Sequence, residues 1–401
     1  MKVLFITLVD FKSIGDRNLY SDLLREFVKH GHEVTVVSPF ERNGRLKTHV
    51  IKDEYGTVIK VEIDPYQKSN VFKKGISIIT VSRRINRALS QHLKNQSIDL
   101  VLYSTPPITI VHTVEFIKRK FHAHSYLLLK DIFPQNAVDM EMIRAKGFIH
   151  NYFRELEKEL YAVSDFIGCM STANVDYLLS NNPKIKSSKV EVCPNSIEPF
   201  SKPNLSLKRS DFDLPEDKVI FVYGGNLGKP QGIDFLVKTL DIVQRNEWAY
   251  FLIIGSGTES KRIEEYIQQK KPNNVRYLST LPSEKYDQVL RLCDVGLIYL
   301  DFRFTIPNFP SRLLSYMNAS LPIMAVTDWA TDIRTVIESN GFGVWTPSDD
   351  LVMFEECLHR FFDRSTREKM GQASNQYFLC EYTTAKSYQT IMSHWEGEKH
   401  V

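Results

Sequence analysis

The stretch Phe221-Val222-Tyr223-Gly224-Gly225-Asn226-Leu227-Gly228-Lys229-Pro230-Gln231-Gly232 passes from an apolar strand pattern through a glycine loop into a helix pattern over 232–244. Gly224, Gly225 and Gly228 permit close backbone approach and positive φ. Amides at the start of a helix, with Lys229 beside them, favour an anion. The spacing is neither the dinucleotide fingerprint nor a P-loop. The stretch predicts a phosphate cradle of another kind, with a plain strand-to-helix turn as the alternative.

Outward from this loop the same rhythm repeats. Short aliphatic runs predict strands over 219–223, 250–254, 274–278, 295–299, 322–326 and 343–345. Amphipathic patterns predict helices over 259–270, 284–292, 311–318, 332–339, 351–362, 366–378 and 384–395. Upstream, strands are expected over 3–8, 33–38, 58–63, 100–103, 125–129, 166–169 and 190–193, with helices such as 16–30, 77–93 and 149–162 between most of them. Alternating β and α elements imply parallel strands with right-handed crossovers. The fold class is therefore α/β, two doubly wound Rossmann-like parallel-sheet domains. Their crevices are expected at the strands' carboxyl ends, facing a common cleft.

At 401 residues the chain is too long for one ordinary core. A Pro-, Ser- and Lys-rich segment reads as the linker. The expected division is 1–198, linker 199–217, a second domain 218–380, and a C-terminal helix 381–401 returning to the first. Net charge is +3, which argues against nucleic-acid binding. The first 200 residues carry 28 basic and 22 acidic side chains and the rest 23 and 26, so the first half is the basic one. Five separated cysteines, without a Cys-x-x-Cys or Cys/His cluster, suggest neither a zinc site nor a disulfide framework and fit a reducing, cytoplasmic setting. The apolar opening Met1–Leu8 is followed at once by Asp10 and Lys12 and reads as a first strand, not a signal peptide.

Two further segments complete the candidate site. Asn308-Phe309-Pro310-Ser311-Arg312 precedes an apolar helix, with Ser311 as a cap and Arg312 placed to meet an anion. Gly255-Ser256-Gly257 and Leu278-Ser279-Thr280 follow strands where nucleotide pockets form. In the first half, Asp131 ends a strand where a carboxylate can orient a hydroxyl; a helix cap or an ion pair with Lys130 or Arg154 is the alternative. Glu157 and Glu159 read as a solvated helix face. Asp211-Phe212-Asp213 spells an acidic pair, but in a polar segment, and reads as a turn.

The order Gly225-Asn226-Leu227-Gly228-Lys229, Gly255-Ser256-Gly257, Asn274-Val275, Cys293-Asp294-Val295-Gly296-Leu297 and Phe309-Pro310-Ser311-Arg312 resembles the C-terminal half of family 4 glycosyltransferases. Asp131-Ile132-Phe133-Pro134, the segment Glu157 to Ser171, and Cys193-Pro194-Asn195-Ser196-Ile197-Glu198 resemble its N-terminal half, in the branch tied to bacterial surface polysaccharides. The resemblance implies a retaining, metal-independent enzyme of GT-B fold, without a cofactor, taking a nucleotide-sugar donor, most commonly UDP-linked. It implies a lipid-linked or oligosaccharide acceptor. Donor-binding residues would be Gly224, Gly225, Asn226, Lys229, Gly255, Ser279, Phe309, Pro310, Ser311 and Arg312. Catalytic residues would be Asp131, Lys229 and Arg312, and acceptor-side residues Gly15, Asp131 and Asn195.

Three departures stand out. The family's paired glutamates fall at Pro307 and Ser315, and its diphosphate-binding Arg and Lys fall at Asn226 and Gln231, so positive charge is expected from Lys229 and Arg312. The usual glycine pair after the first strand is reduced to Gly15. A non-catalytic nucleotide-sugar binder that partners another transferase, and a sugar-nucleotide epimerase of the same fold, are the competing functions. The basic, apolar run from Val71 to Leu89, with Lys73, Lys74, Arg83 and Arg84, suits a helix lying on an anionic membrane. It suits equally a core-facing helix with a solvated basic side.

Overall fold

The computed structural model describes residues 1–41, 47–63, 71–94, 96–199 and 207–395, and for 71–80 the backbone alone. The chain forms two compact units, Met1–Glu198 with Thr384–Val401, and Pro199–Thr383.

The first unit holds the strands β1 (Lys2–Ile6), β2 (Glu33–Glu41), β3 (His49–Asp53), β4 (Gly56–Ile63), β5 (Leu100–Ser104), β6 (His124–Leu129), β7 (Phe166–Cys169) and β8 (Val190–Val192). Their order is β3-β4-β2-β1-β5-β6-β7-β8. Strand order reverses between β1 and β5, the switch point where such sheets bind ligands. Helices on both faces bury the central strands, so Val3, Leu4, Phe5 and Ile6 are all in the core. The sheet is mixed, not wholly parallel: β3 pairs antiparallel with β4. It is short and mostly exposed, Val50 and Ile51 included, an edge strand closed by a tight turn in which Asp53 Oδ1 accepts the amides of Tyr55 and Gly56 at 2.9 Å.

The helix Leu19–Lys29 starts at Asn18, whose side chain caps the amides of Tyr20 and Ser21 at 3.0 Å. The helix Val71–His92 settles half of the question left by its sequence. Val81, Ile85, Ala88 and Leu89 turn into the core while Arg83 and Arg87 face out. From residue 81 its apolar face is thus packed on protein and not offered to a lipid surface. Lys73 and Lys74 lie outside the described side chains. No described helix is long and apolar enough to cross a membrane.

The second unit holds β9 (Val219–Asn226), β10 (Ala249–Ser256), β11 (Val275–Leu278), β12 (Val295–Tyr299), β13 (Ile323–Thr327) and β14 (Gly343–Pro347), all parallel, in the order β11-β10-β9-β12-β13-β14. Residues 207–217, read as linker, are bolted to this unit. Arg209 pairs with Asp294 at 2.7 Å and donates to the carbonyls of Leu292, Pro215 and Lys218. Asp211 accepts the Lys208 amide and Asp213 faces Arg276, so this acidic pair serves a turn.

The C-terminal helix Thr384–Met392 belongs to the first unit. Tyr388 packs edge-on against Phe27 at 4.9 Å and meets His32 Nε2 at 2.9 Å.

Candidate functional site

In the second unit the carboxyl ends of β9 and β10 are drawn together by glycine. Gly225 and Gly255 are register partners on these parallel strands, with φ of +133° and +154°. A Cβ at Gly255 would lie 1.8 Å from the Gly225 carbonyl oxygen, so only glycine allows this approach. Leu227 then donates to the Ser256 carbonyl at 2.9 Å, and the Tyr277 hydroxyl donates to the Gly255 carbonyl at 2.9 Å.

Arg312 reaches this point from the start of the helix Arg312–Asn318. A Cβ at Gly225 would sit 3.3 Å from its Cζ, and the guanidinium lies over the Tyr223 ring at 4.4 Å. Arg312 keeps partial exposure as a residue, yet its Nη1 is buried without a hydrogen-bond partner among the described residues. The hydroxyl of Tyr316 meets the Gly224 amide at 2.9 Å, and that of Tyr286 packs against Gly224. Burial raises the pKa of all three phenols. Burial acts to lower the Arg312 value, but the facing hydroxyls of Tyr223, Tyr316 and Tyr286 outweigh it. The result is a fixed cation in a dry aromatic wall with donor capacity to spare.

The other expected donor residues group unevenly. Asn226 is exposed beside the loop and donates to Gln231 Oε1 at 2.9 Å, which also takes the Gly228 amide. The two positions at which the family places cations are thus neutral and bonded to each other. Lys229 is exposed just beyond. Phe309 and Pro310 are partly buried, with the Phe309 ring tilted against Tyr382 at 6.1 Å. Ser311 does not cap its helix: its backbone is already helical and its side chain makes no capping bond. Ser279 is exposed past β11, next to Thr280, whose hydroxyl meets Ser256 at 2.9 Å. Sequence reasoning missed Tyr286 and Tyr316, which read as ordinary helix positions. It also missed buried Asp301, which holds Arg303 at 2.8 and 3.0 Å and donates its amide to Pro230.

In the first unit Asp131 stands just past β6. Its carboxylate accepts from Asn136 at 2.6 Å and is paired with neither Lys130 nor Arg154. Burial pushes its pKa up to about 6, with the Glu157 charge adding and the bonds from Ile132 and Asn136 opposing. Glu157 is not on a solvated face: it is buried, ion-paired with Arg154 at 2.5 Å and bonded by Tyr161 at 2.7 Å, while Glu159 is exposed. A cavity of about 220 Å³ runs beside this cluster, lined in part by Ile132, His150, Arg154 and Tyr177. Asn195 is buried and accepts the Lys130 ammonium. Gly15 is exposed, in a loop tied to Asp53 through Ser13 at 2.6 Å.

The raised Asp131 value fixes the sign of a pH effect. A carboxyl that ionises near 3.8 when unfolded and near 6 when folded favours the fold below about pH 4. That contribution is lost as pH rises through 6, after which the buried charge costs about 3 kcal/mol. Asp131→Asn should therefore raise the melting temperature at pH 7.5, leave it near wild type at pH 4, and still lower activity at least tenfold. Thermal melts at the two pH values, run beside the activity assay, decide it. A lower melting point at pH 7.5 would make the carboxylate a structural group.

Two Rossmann-like units in tandem, the second with a cationic, glycine-lined cradle where strands hand over to helices, define a protein of the GT-B class. The model described as "Glycosyl transferases group 1" matches residues 206–377, and that described as "Glycosyltransferase Family 4" matches residues 18–199. The chain belongs to the family 4 glycosyltransferases. It is 25% identical over 298 residues to a probable glycosyltransferase, WbjE, of Pseudomonas aeruginosa, covering 72% of this chain and 73% of that one. It is 33% identical over 92 residues to a putative colanic acid biosynthesis glycosyl transferase, WcaI, of Escherichia coli K12, covering 23% and 22%. Among solved structures it resembles sucrose-phosphate synthase of Thermosynechococcus elongatus with a TM-score of 0.78, at 13% identity over 99% of this chain and 98% of that one.

Proposed function

We propose that the protein transfers a hexosyl or N-acetylhexosaminyl group, with retention and without a metal, from a UDP-linked sugar to a lipid-linked or oligosaccharide acceptor. The product would be a bacterial surface polysaccharide of capsule or O-antigen type, built at the inner face of the cytoplasmic membrane. The observation that carries this reading is Arg312, a partly buried cation held against Gly225 with an unused buried donor. Breaking the bond between sugar and diphosphate loads negative charge on the leaving group. A fixed donor in a dry site stabilises that charge without reorganising at the moment of reaction. Lys229 and the Gly225 amide would add to it, and Arg312 would stand in for the family's two loop cations. Asp131 would orient the acceptor hydroxyl. The leaving phosphate would take its proton, so no protein nucleophile is required. The relative assigned to colanic acid biosynthesis supports the polysaccharide setting.

Thermal melts with a panel of nucleoside diphosphates, in excess chelator, test the reading. At a hundredfold excess over Kd a matching nucleotide stabilises the fold by about 2.7 kcal/mol, which raises the melt of a unit the size of Pro199–Thr383 by roughly 5–10 °C. The corresponding sugar nucleotide should then transfer with retention, read by NMR of the product. If no nucleoside diphosphate shifts the melt, the reading fails.

A further inference from the structure

Withdrawn cations in the first unit close on carboxylates. Arg25 meets Asp22 at 2.6 Å, Lys118 meets Asp165 at 2.7 Å, Arg154 meets Glu157 at 2.5 Å, and Lys60 pairs with Asp10. Lys130 breaks the pattern. It follows β6 directly; its amide donates to Thr105 Oγ1 at 3.1 Å and its ammonium to Asn195 Oδ1. The ammonium lies over the Tyr20 ring at 4.8 Å, and the Tyr20 hydroxyl takes a bond from Ser104 at 2.9 Å. No carboxylate among the described residues lies within ion-pair distance of it. The titratable group that faces it is the buried Cys193 thiol, whose own pKa burial raises, and Asp131, its neighbour in sequence, is engaged by Asn136.

A lysine pulled from water without a counter-charge is costly, and burial lowers its pKa to about 8. At neutral pH it is still mostly charged. A neutral amide and an aromatic face hold a cation in place but do not neutralise it. The group also stands where the sheet favours a ligand. Tyr20 opens the helix after β1, Ser104 ends β5 and Lys130 follows β6, beside the β1/β5 switch point.

We propose that Lys130 binds a phosphate ester carried by the acceptor, at the carboxyl edge of the first sheet, with Asn195 and Tyr20 positioning its ammonium. This rests on the transferase reading and deepens it: the acceptor is anionic. The phosphate comes either from a lipid carrier or from a phosphorylated sugar, and these are separable by their neutral counterparts.

Calorimetry on the full chain in saturating UDP, which occupies the donor cradle, tests the assignment with farnesyl phosphate against farnesol and glucose 6-phosphate against glucose. The wild type should bind one phosphate probe at least tenfold more tightly than its neutral partner, and that pair names the source. Lys130→Met should abolish the preference and Lys130→Arg should keep most of it. Lys130→Gln serves if the methionine variant does not fold, and UDP affinity reports folding in each. Absence of a charged-over-neutral preference in the wild type, or its survival in Lys130→Met, overturns the proposal. The measurement needs no turnover, so it decides Lys130 separately from whether sugar transfer is observed.

Discussion

Replacing Arg312 by alanine should lower sugar transfer by roughly 10²–10³-fold, the cost of removing one preorganised donor from a water-poor site. The effect is set by geometry: the guanidinium lies on the Tyr223 ring, its Cζ is 3.3 Å from where a Gly225 side chain would begin, and its Nη1 has no partner among the described residues. The loss should appear in kcat as well as in nucleotide affinity, because diphosphate charge grows in the transition state. Arg312→Lys should recover little, since an ammonium neither stacks on Tyr223 nor offers two parallel donors. Lys229→Ala should cost only about tenfold, because its exposed charge acts through water. Steady-state kinetics at limiting and saturating donor separate these cases. An Arg312→Ala enzyme within threefold of wild type would remove the cradle from the mechanism.

The two-unit plan was legible because parallel strands buried on both faces read as continuous apolar runs, and glycines punctuate their ends. Illegible features were those in which a polar residue behaves against type. β3 has only Val50 and Ile51 between polar neighbours, mostly exposed, and looks like loop until the edge of a sheet accepts it. Glu157 sits in a charged helix that suggests a wet face, yet Arg154 and Tyr161 make its burial tolerable; burial still raises its pKa, against both partners. Lys130 follows five buried residues and could have been singled out by that position alone. Arg312 was readable from Phe309-Pro310-Ser311-Arg312, but its tyrosine wall was not. Tyr286 and Tyr316 come from two helices far apart in sequence, and only the sheet brings their hydroxyls to Gly224.

Gly255→Ala should be the most destabilising single-methyl addition in the second unit, by roughly 2–6 kcal/mol. Overpacking against an immovable neighbour and strain at positive φ each contribute about 1–3 kcal/mol. The obstacle is the backbone: the added carbon would lie 1.8 Å from the Gly225 oxygen and 2.9 Å from its carbonyl carbon, and no rotamer change relieves that. The ends of β9 and β10 would have to part, carrying Gly225 away from Arg312. Stability and nucleotide affinity should then fall together, as they would not if the glycine were only a flexible link. Gly341→Ala separates the two terms. Its φ is +67° and nothing lies within 4 Å of the added carbon, so only conformational strain remains, about 1 kcal/mol. Urea unfolding and UDP titration of both variants measure the difference. If Gly255→Ala costs no more than Gly341→Ala and keeps its nucleotide affinity, close approach of these strands does not build the cradle.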